Sequence, residues 1–273
     1  MTDNVADKTD VRPETRVEPF MPTEPLEIIY QDDHYVAINK PAGLLVHPSI
    51  IDRHEPDNAL DILQTQLGRP VYTIHRLDKP TAGVLLFGLS PEAAREAVAV
   101  FTAGEVRKTY LAVVRGDTEA QQVIDYPLRP VPDRIMQGRE RPHKAPKEAQ
   151  THLRRLGQVE LPVAVGRYPT SRYSLLEIHP KTGKMHQIRR HLQHIRHPVI
   201  GDTRYGDRHH NRAFRERWGT RRLLLTAVEL EFHHPFLASR IRVNATLDPL
   251  FVSILAALGW LPLIPVSWLS PAG

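Results

Sequence analysis

Cysteine is absent from the 273-residue chain, which excludes disulfides and thiolate-bound zinc and permits a reducing compartment. No segment reaches the length and apolarity of a membrane span. The opening stretch "MTDNVADKTDVRPETRVEPFMPTEP" lacks the apolar core of a signal peptide. A cytoplasmic location is the expectation. No Walker A sequence occurs, so nucleotide hydrolysis has no support. The "GxSxG" elbow of a Ser-His-Asp hydrolase and the "HExxH" zinc signature are missing as well.

What is present is a chain long enough for one large domain, with 41% hydrophobic and 25% charged residues, the balance of an ordinary globular protein. Its charge is polarised. From Lys181 to Arg222 there are twelve Lys/Arg against three Asp/Glu, a net +9, whereas the remainder holds 24 basic and 28 acidic residues. Such asymmetry points to an anionic partner, nucleic acid first, or else to a solvated, salt-bridged face.

Residues 1–24 mix proline with charges of both signs and carry no apolar period, which predicts a disordered tail before a domain over 25–273. "LEIIYQDDHYVAINKPAG" predicts two strands about a turn at Gln31–His34, and "ALDILQTQL" a short helix with Leu60, Leu63 and Leu67 on one side. Ser90 followed by Pro91 opens a helix that Gly104 should close. "GVLLFGL", "VRKTYLAVVRG", "TSRYSLLEIHP", "RLLLTAVELEF" and "RIRVNATL" have strand composition, and "DPLFVSILAALGW" is helical. A long surface loop is expected from Arg129 to Gln150, rich in Pro and Lys/Arg. "KMHQIRRHLQHIRHP" predicts a helix burying Met185, Ile188, Leu192 and Ile195. Strands in adjacent pairs, rather than strict alternation with helices, predict an α+β fold: a mixed, largely antiparallel sheet with flanking helices.

Fifteen histidines raise the question of metal. His191, His194 and His197 recur at every third position, but their arginine neighbours repel a cation, and an RNA-facing surface accounts for them better. "HRLD" at residues 75–78 differs from the kinase catalytic triplet by the intervening Leu77, and no Gly-rich phosphate loop accompanies it. Three residues then stand out. Asp78 sits in a charged loop before a buried strand, where a backbone-capping turn residue is the plain reading. Tyr110 lies in mid-strand, where sheet packing is the plain reading. Helical phase puts Arg189 on the buried edge of its helix, able to reach a carboxylate, and turns Arg190 outward.

The stretches "INKPAGLLVHP", "HRLDKPTAGVLL", "KTYLAVVRG" and "PKTGKMHQIRRHL", in this order, resemble the RluA-type family of RNA pseudouridine synthases. The resemblance extends from about Glu27 to Leu258, with small departures at Ala82 and Met185. Two further segments, "GRYPTSRYSLLEIHP" and "RRHLQHIRHPVIGDTRYGDRHHNR", are similar to members that modify tRNA. The resemblance implies the pseudouridine synthase fold with a central active-site cleft. It implies Asp78 as the catalytic aspartate, Tyr110 stacked on the target base and a candidate proton carrier, and Arg189 paired with Asp78. It also implies Arg76 filling the gap left by a flipped nucleotide. His75, Lys108, Lys184 and Arg190 are expected near the RNA, with Arg212, Arg215 and Arg217 on its phosphates. The S4 RNA-binding domain that many relatives carry is not expected here, nor is an obligatory protein partner.

The implied chemistry breaks the N1–C1′ bond of uridine, turns the uracil and rejoins it through C5. Nothing is oxidised, hydrolysed or added, so no cofactor or metal is expected. The reaction calls for an ionised carboxylate at the sugar, and an arginine beside it stays charged in any environment.

Overall fold

The computed structural model describes residues 25–48, 57–131 and 145–270. The expected tail over 1–24 and most of the expected loop, residues 132–144, lie outside the described residues.

Among the described residues ten strands form one sheet: β1 (Ile28–Gln31), β2 (Tyr35–Lys40), β3 (Tyr72–Thr73), β4 (Ala82–Gly88), β5 (Arg107–Arg115), β6 (Gln121–Asp125), β7 (Gln150–Leu161), β8 (Ser171–Pro180), β9 (Leu225–His233) and β10 (Arg240–Asn244). Among the described residues five α-helices accompany them: α1 (Ala59–Leu67), α2 (Pro91–Ala103), α3 (Gln187–His194), α4 (Arg208–Trp218) and α5 (Pro249–Ala257). The main strand order is β1-β2-β4-β9-β5-β8-β7-β6, with β3 on β4 and β10 on β9. Among the described residues every pairing of these strands is antiparallel except β4 with β9, which meet in parallel through Ala82↔Thr226 and Gly83↔Ala227. The expected α+β sheet is therefore the one observed.

That short parallel joint divides the sheet into two halves, each with helices on both faces. In β4 the alternation of side chains explains an all-apolar strand. Leu85 and Phe87 pack in the cluster that contains Leu63 of α1, whereas Val84 and Leu86 pack in the one containing Ala93 and Ala97 of α2. A strand covered on both sides has no polar face to present. In the other half, Leu111 and Val113 of β5 join Phe214 of α4 and Phe251 of α5, while Ala112 and Val114 join Ile188 and Leu192 of α3.

Local signals account for several boundaries. Ser90 Oγ accepts from Ala93 N, and Gly104 closes α2 in the left-handed region at φ 77°. Asn58 caps α1 through Asp61 N, and Gly68 ends it at φ 63°. Three expectations need correction. The helix predicted from Lys184 begins at Gln187, with His186 before it at φ 55°, and Met185 lies outside it, 42% exposed. The buried Gln187 amide fixes this start by accepting from Lys184 N and Thr182 Oγ1. Arg212, Arg215 and Arg217 stand on a helix, α4, and two strands, the short β6 and the long β7, are additional to those expected. His191 does not line a surface: it is fully buried, with Thr151 Oγ1 at 2.9 Å and the Tyr126 carbonyl at 3.0 Å on its two nitrogens.

Candidate active site

Where the two halves of the sheet meet, a cleft of about 670 Å³ opens. Its lining draws on the loop before β4 (His75, Arg76, Leu77, Asp78), the start of β5 (Lys108, Tyr110) and the turn into α3 (Lys184 to Arg189). Segments 111 residues apart in sequence thus face one space.

Asp78 is held by its backbone as a turn residue: its carbonyl accepts from Thr81 N at 2.9 Å. Its carboxylate is left for the cleft. Behind it, the buried Lys40 donates to the carbonyls of Pro41, Leu44 and Lys79 at 2.8, 2.8 and 3.2 Å, fastening two loops together. Burial pulls the Lys40 ammonium down to about 7, with Arg222 adding to the effect. Leu77 is buried as an anchor, so Arg76 and Asp78 point elsewhere than the core, Arg76 being exposed.

Arg189 provides the organising contact. It is buried, and its Nε and one terminal nitrogen donate to Asp202 Oδ2 and Oδ1 at 2.7 and 2.9 Å. The other terminal nitrogen donates to Asp78 Oδ2 at 3.1 Å. Burial opposes the Arg189 charge, and Asp202 followed by Asp78 outweighs it, holding the group above its ordinary value. Asp202 is likewise buried, yet Arg189 and the backbone N–H groups of Tyr205 and Arg204 hold its carboxyl below the usual range. A fork-shaped guanidinium suits this division of donors between two carboxylates.

Burial, and Asp78 after it, raise the Tyr110 phenol well above its ordinary value, so the hydroxyl keeps its proton. His186 places Nε2 3.9 Å from Asp78 Oδ1 and Nδ1 2.9 Å from the Tyr205 hydroxyl. Burial lowers the His186 imidazole; it is neutral near pH 7, and its approach to Asp78 is not an ion pair.

The expected RNA-facing residues divide. Arg76, Lys108 and Lys184 line the cleft. His75 lines it too, but its Nε2 accepts from Leu86 N at 3.0 Å and its ring stacks on Phe101 at 4.8 Å. Burial, with Lys108 nearby, lowers it to about 3, so it serves as a neutral bracket for the loop. Arg190 is half-buried and outside the cleft lining. Arg212, Arg215 and Arg217 are on α4, also outside it. Sequence reasoning missed Asp202, Tyr205, His186 and Gln187. The run "GDTRYGD" carries the Asp-turn pattern that holds Asp202, but nothing local assigns its side chain to Arg189.

A family model described as RNA pseudouridylate synthase matches residues 34–194. The tRNA pseudouridine synthase C of Vibrio cholerae is 47% identical over 235 residues, covering 86% of this chain and 96% of that protein. The Salmonella typhi protein of the same name is 48% identical over 240 residues, covering 88% and 92%. Among solved structures, human RNA pseudouridylate synthase domain containing 1 superposes with a TM-score of 0.61 at 28% identity, over 85% of this chain and 87% of that one. Human RNA pseudouridylate synthase domain containing 4, at 24% identity, shares the fold with a TM-score of 0.63 over 85% of this chain and 93% of that one. The fold is that of a nucleic-acid-modifying isomerase, and the chain belongs to the RNA pseudouridylate synthase family, RluA type. It is an RNA pseudouridine synthase.

Proposed function

We propose that this enzyme isomerises one uridine of tRNA to pseudouridine, with Asp78 as the catalytic carboxylate. The observation that carries the reading is the Arg189 fork: clamped on Asp202, it presents one donor to Asp78 at the edge of the cleft. The names of the similar bacterial proteins support tRNA as the substrate. The segments "GRYPTSRYSLLEIHP" and "RRHLQHIRHPVIGDTRYGDRHHNR" resemble the family member that modifies uridine 65 of tRNA, which supports that uridine as the target.

In this reading the flipped nucleotide enters the cleft, at a cost of a few kcal/mol of lost stacking and pairing. Stacking of the uracil on Tyr110 returns roughly 1–3 kcal/mol, and Arg76 fills the vacated gap. The N1–C1′ bond breaks, the uracil turns, the C5–C1′ bond forms, and the C5 proton is lost as N1 gains one. Asp78 acts either by attacking C1′ or by assisting proton loss at C2′. Tyr110, held protonated by burial, suits stacking and hydrogen-bond donation rather than service as a base.

The test is tritium release from tRNA carrying 5-tritiated uridine, with site-resolved mapping of the product. Wild type should release tritium at one position. Asp78→Asn should bind tRNA and release none. Normal turnover by that variant defeats the assignment of Asp78, and activity on ribosomal RNA alone defeats the assignment of tRNA. A primary deuterium isotope effect at C2′ distinguishes the second route from direct attack.

A further inference from the structure

A second concave region lies at the far end of the same strands. The loop between β7 and β8, the end of β5 and the start of α4 enclose a basin of about 580 Å³. Its lining includes Arg115, Arg167, Tyr168, Arg172, Asp207 and His210. β8 joins it to the cleft: Ser171 lines the basin and Pro180 the cleft. Nine residue steps of strand place the two about 30 Å apart.

The basin has the chemistry of a base-stacking and phosphate site. Tyr168 is 59% exposed, a large aromatic at a loop tip with no core to fill. The Arg167 guanidinium lies over its ring, 5.0 Å from the centroid, and also donates to its hydroxyl at 2.9 Å. Among the described residues Arg167 has no carboxylate within ion-pair distance, in contrast to its neighbours. Arg115 is engaged by Asp207 at 2.6 Å and Arg172 by Glu160 at 3.0 Å. Asp207 is further occupied as the N-cap of α4, accepting from His209 N and His210 N. The carboxylates are thus spent on the neighbouring arginines, leaving for a ligand Arg167 and the exposed part of the Tyr168 ring that Arg167 does not cover. An aromatic plane interleaved with arginine is how unpaired bases are held without sequence readout.

We propose that this basin is a second RNA site, which holds an unpaired nucleotide of the tRNA outside the stem being modified. The inference rests on the reading of tRNA as substrate. A site about 30 Å from the cleft would engage a part of the RNA other than the target base pair, so it would favour the intact molecule.

The test compares wild type, Tyr168→Ala, Tyr168→Trp and Arg167→Glu in equilibrium binding to intact tRNA and to a short hairpin containing only the modified stem. Pseudouridine formation is measured at saturating RNA. Tyr168→Ala and Arg167→Glu should each weaken binding of intact tRNA by about tenfold and leave hairpin affinity and the saturated rate unchanged. Tyr168→Trp should bind as wild type. Unchanged affinity for intact tRNA overturns the proposal and leaves the basin to another partner, such as an acidic protein segment. Equal losses on both RNAs also overturn it. A wild type that modifies no tRNA would defeat the substrate reading and this inference together, whereas variants that bind intact tRNA normally beside an active wild type defeat this inference alone.

Discussion

Arg189 divides its donors between two carboxylates, and the division has a consequence for turnover. The two bonds to Asp202 fix the guanidinium plane, so the bond to Asp78 is set by a residue that does not touch the cleft. Asp202→Asn keeps the shape but removes the buried charge. We expect kcat to fall by on the order of tenfold to a hundredfold with KM for RNA nearly constant, since small misplacement of a reacting group costs that much. A loss of melting temperature with kcat untouched would make Asp202 a prop of the fold only. His75 gives a different residue-scale expectation. Held neutral at about 3 in the fold against an ordinary 6.5, it takes up a proton more readily when unfolded. Its contribution is complete above about pH 6.5 and is lost as the pH falls towards 3. Between pH 7 and pH 5, wild type should lose about 1–2 kcal/mol more stability than His75→Gln, measured by urea unfolding. Parallel curves for the two would mean that His75 is open to solvent in the fold.

At the scale of elements, the joint between β4 and β9 is the point on which the cleft depends. Gly83 has φ +111°, and a Cβ added there would lie 2.1 Å from the Ala227 carbonyl oxygen. Only glycine lets the two strands meet, and Asp78 lies on the loop that leads into that strand. Gly83→Ala should therefore destabilise the protein by roughly 2–4 kcal/mol and lower kcat, because β4, which follows Asp78, must separate from β9, on which Tyr110 of β5 is paired. Unfolding curves and turnover that match wild type would show that the joint yields without disturbing the cleft. Elements with a local signature were legible in the sequence. α2 has Ser90, Pro91 and Gly104; β4 is apolar throughout because both faces are covered. The phase of α3 separated Arg189 from Arg190. β7 was not legible, since a register shift between Arg155 and Gly157 breaks the alternation of "RRLGQVEL", and its Leu156, Val159 and Leu161 are only half-buried. Nor was α4, whose hold on the core is the buried Phe214 with Trp218 beside it, too little to make a stripe. Asp202 escaped for a different reason: its partner is 13 residues away, and only tertiary structure decides which cation a turn aspartate meets.

The charge of the whole molecule is modest, a net +5, but it is gathered on one stretch of sequence that contributes both to the cleft and to α4. The structure separates the residues of α4 that can serve a polyanion from those that cannot. Arg212 and Arg217 are exposed, the first bonded to Glu216 at 2.7 Å and the second lying over the Trp218 ring. Arg215 is half-buried, and its Nε is shut away from solvent with no partner among the described residues. Reversing Arg215 would push a carboxylate against the core and report on folding, not on RNA. The informative variant is Arg212→Glu with Arg217→Glu. Each phosphate deprived of its arginine should reduce the slope of log affinity against log salt by about 0.9, so the double variant should bind tRNA more weakly at low salt and approach wild type as salt rises. Its rate at saturating tRNA should stay that of wild type, because neither arginine lines the cleft. An unchanged slope would remove α4 from the RNA path and leave the cleft arginines and lysines to supply the electrostatic attraction alone.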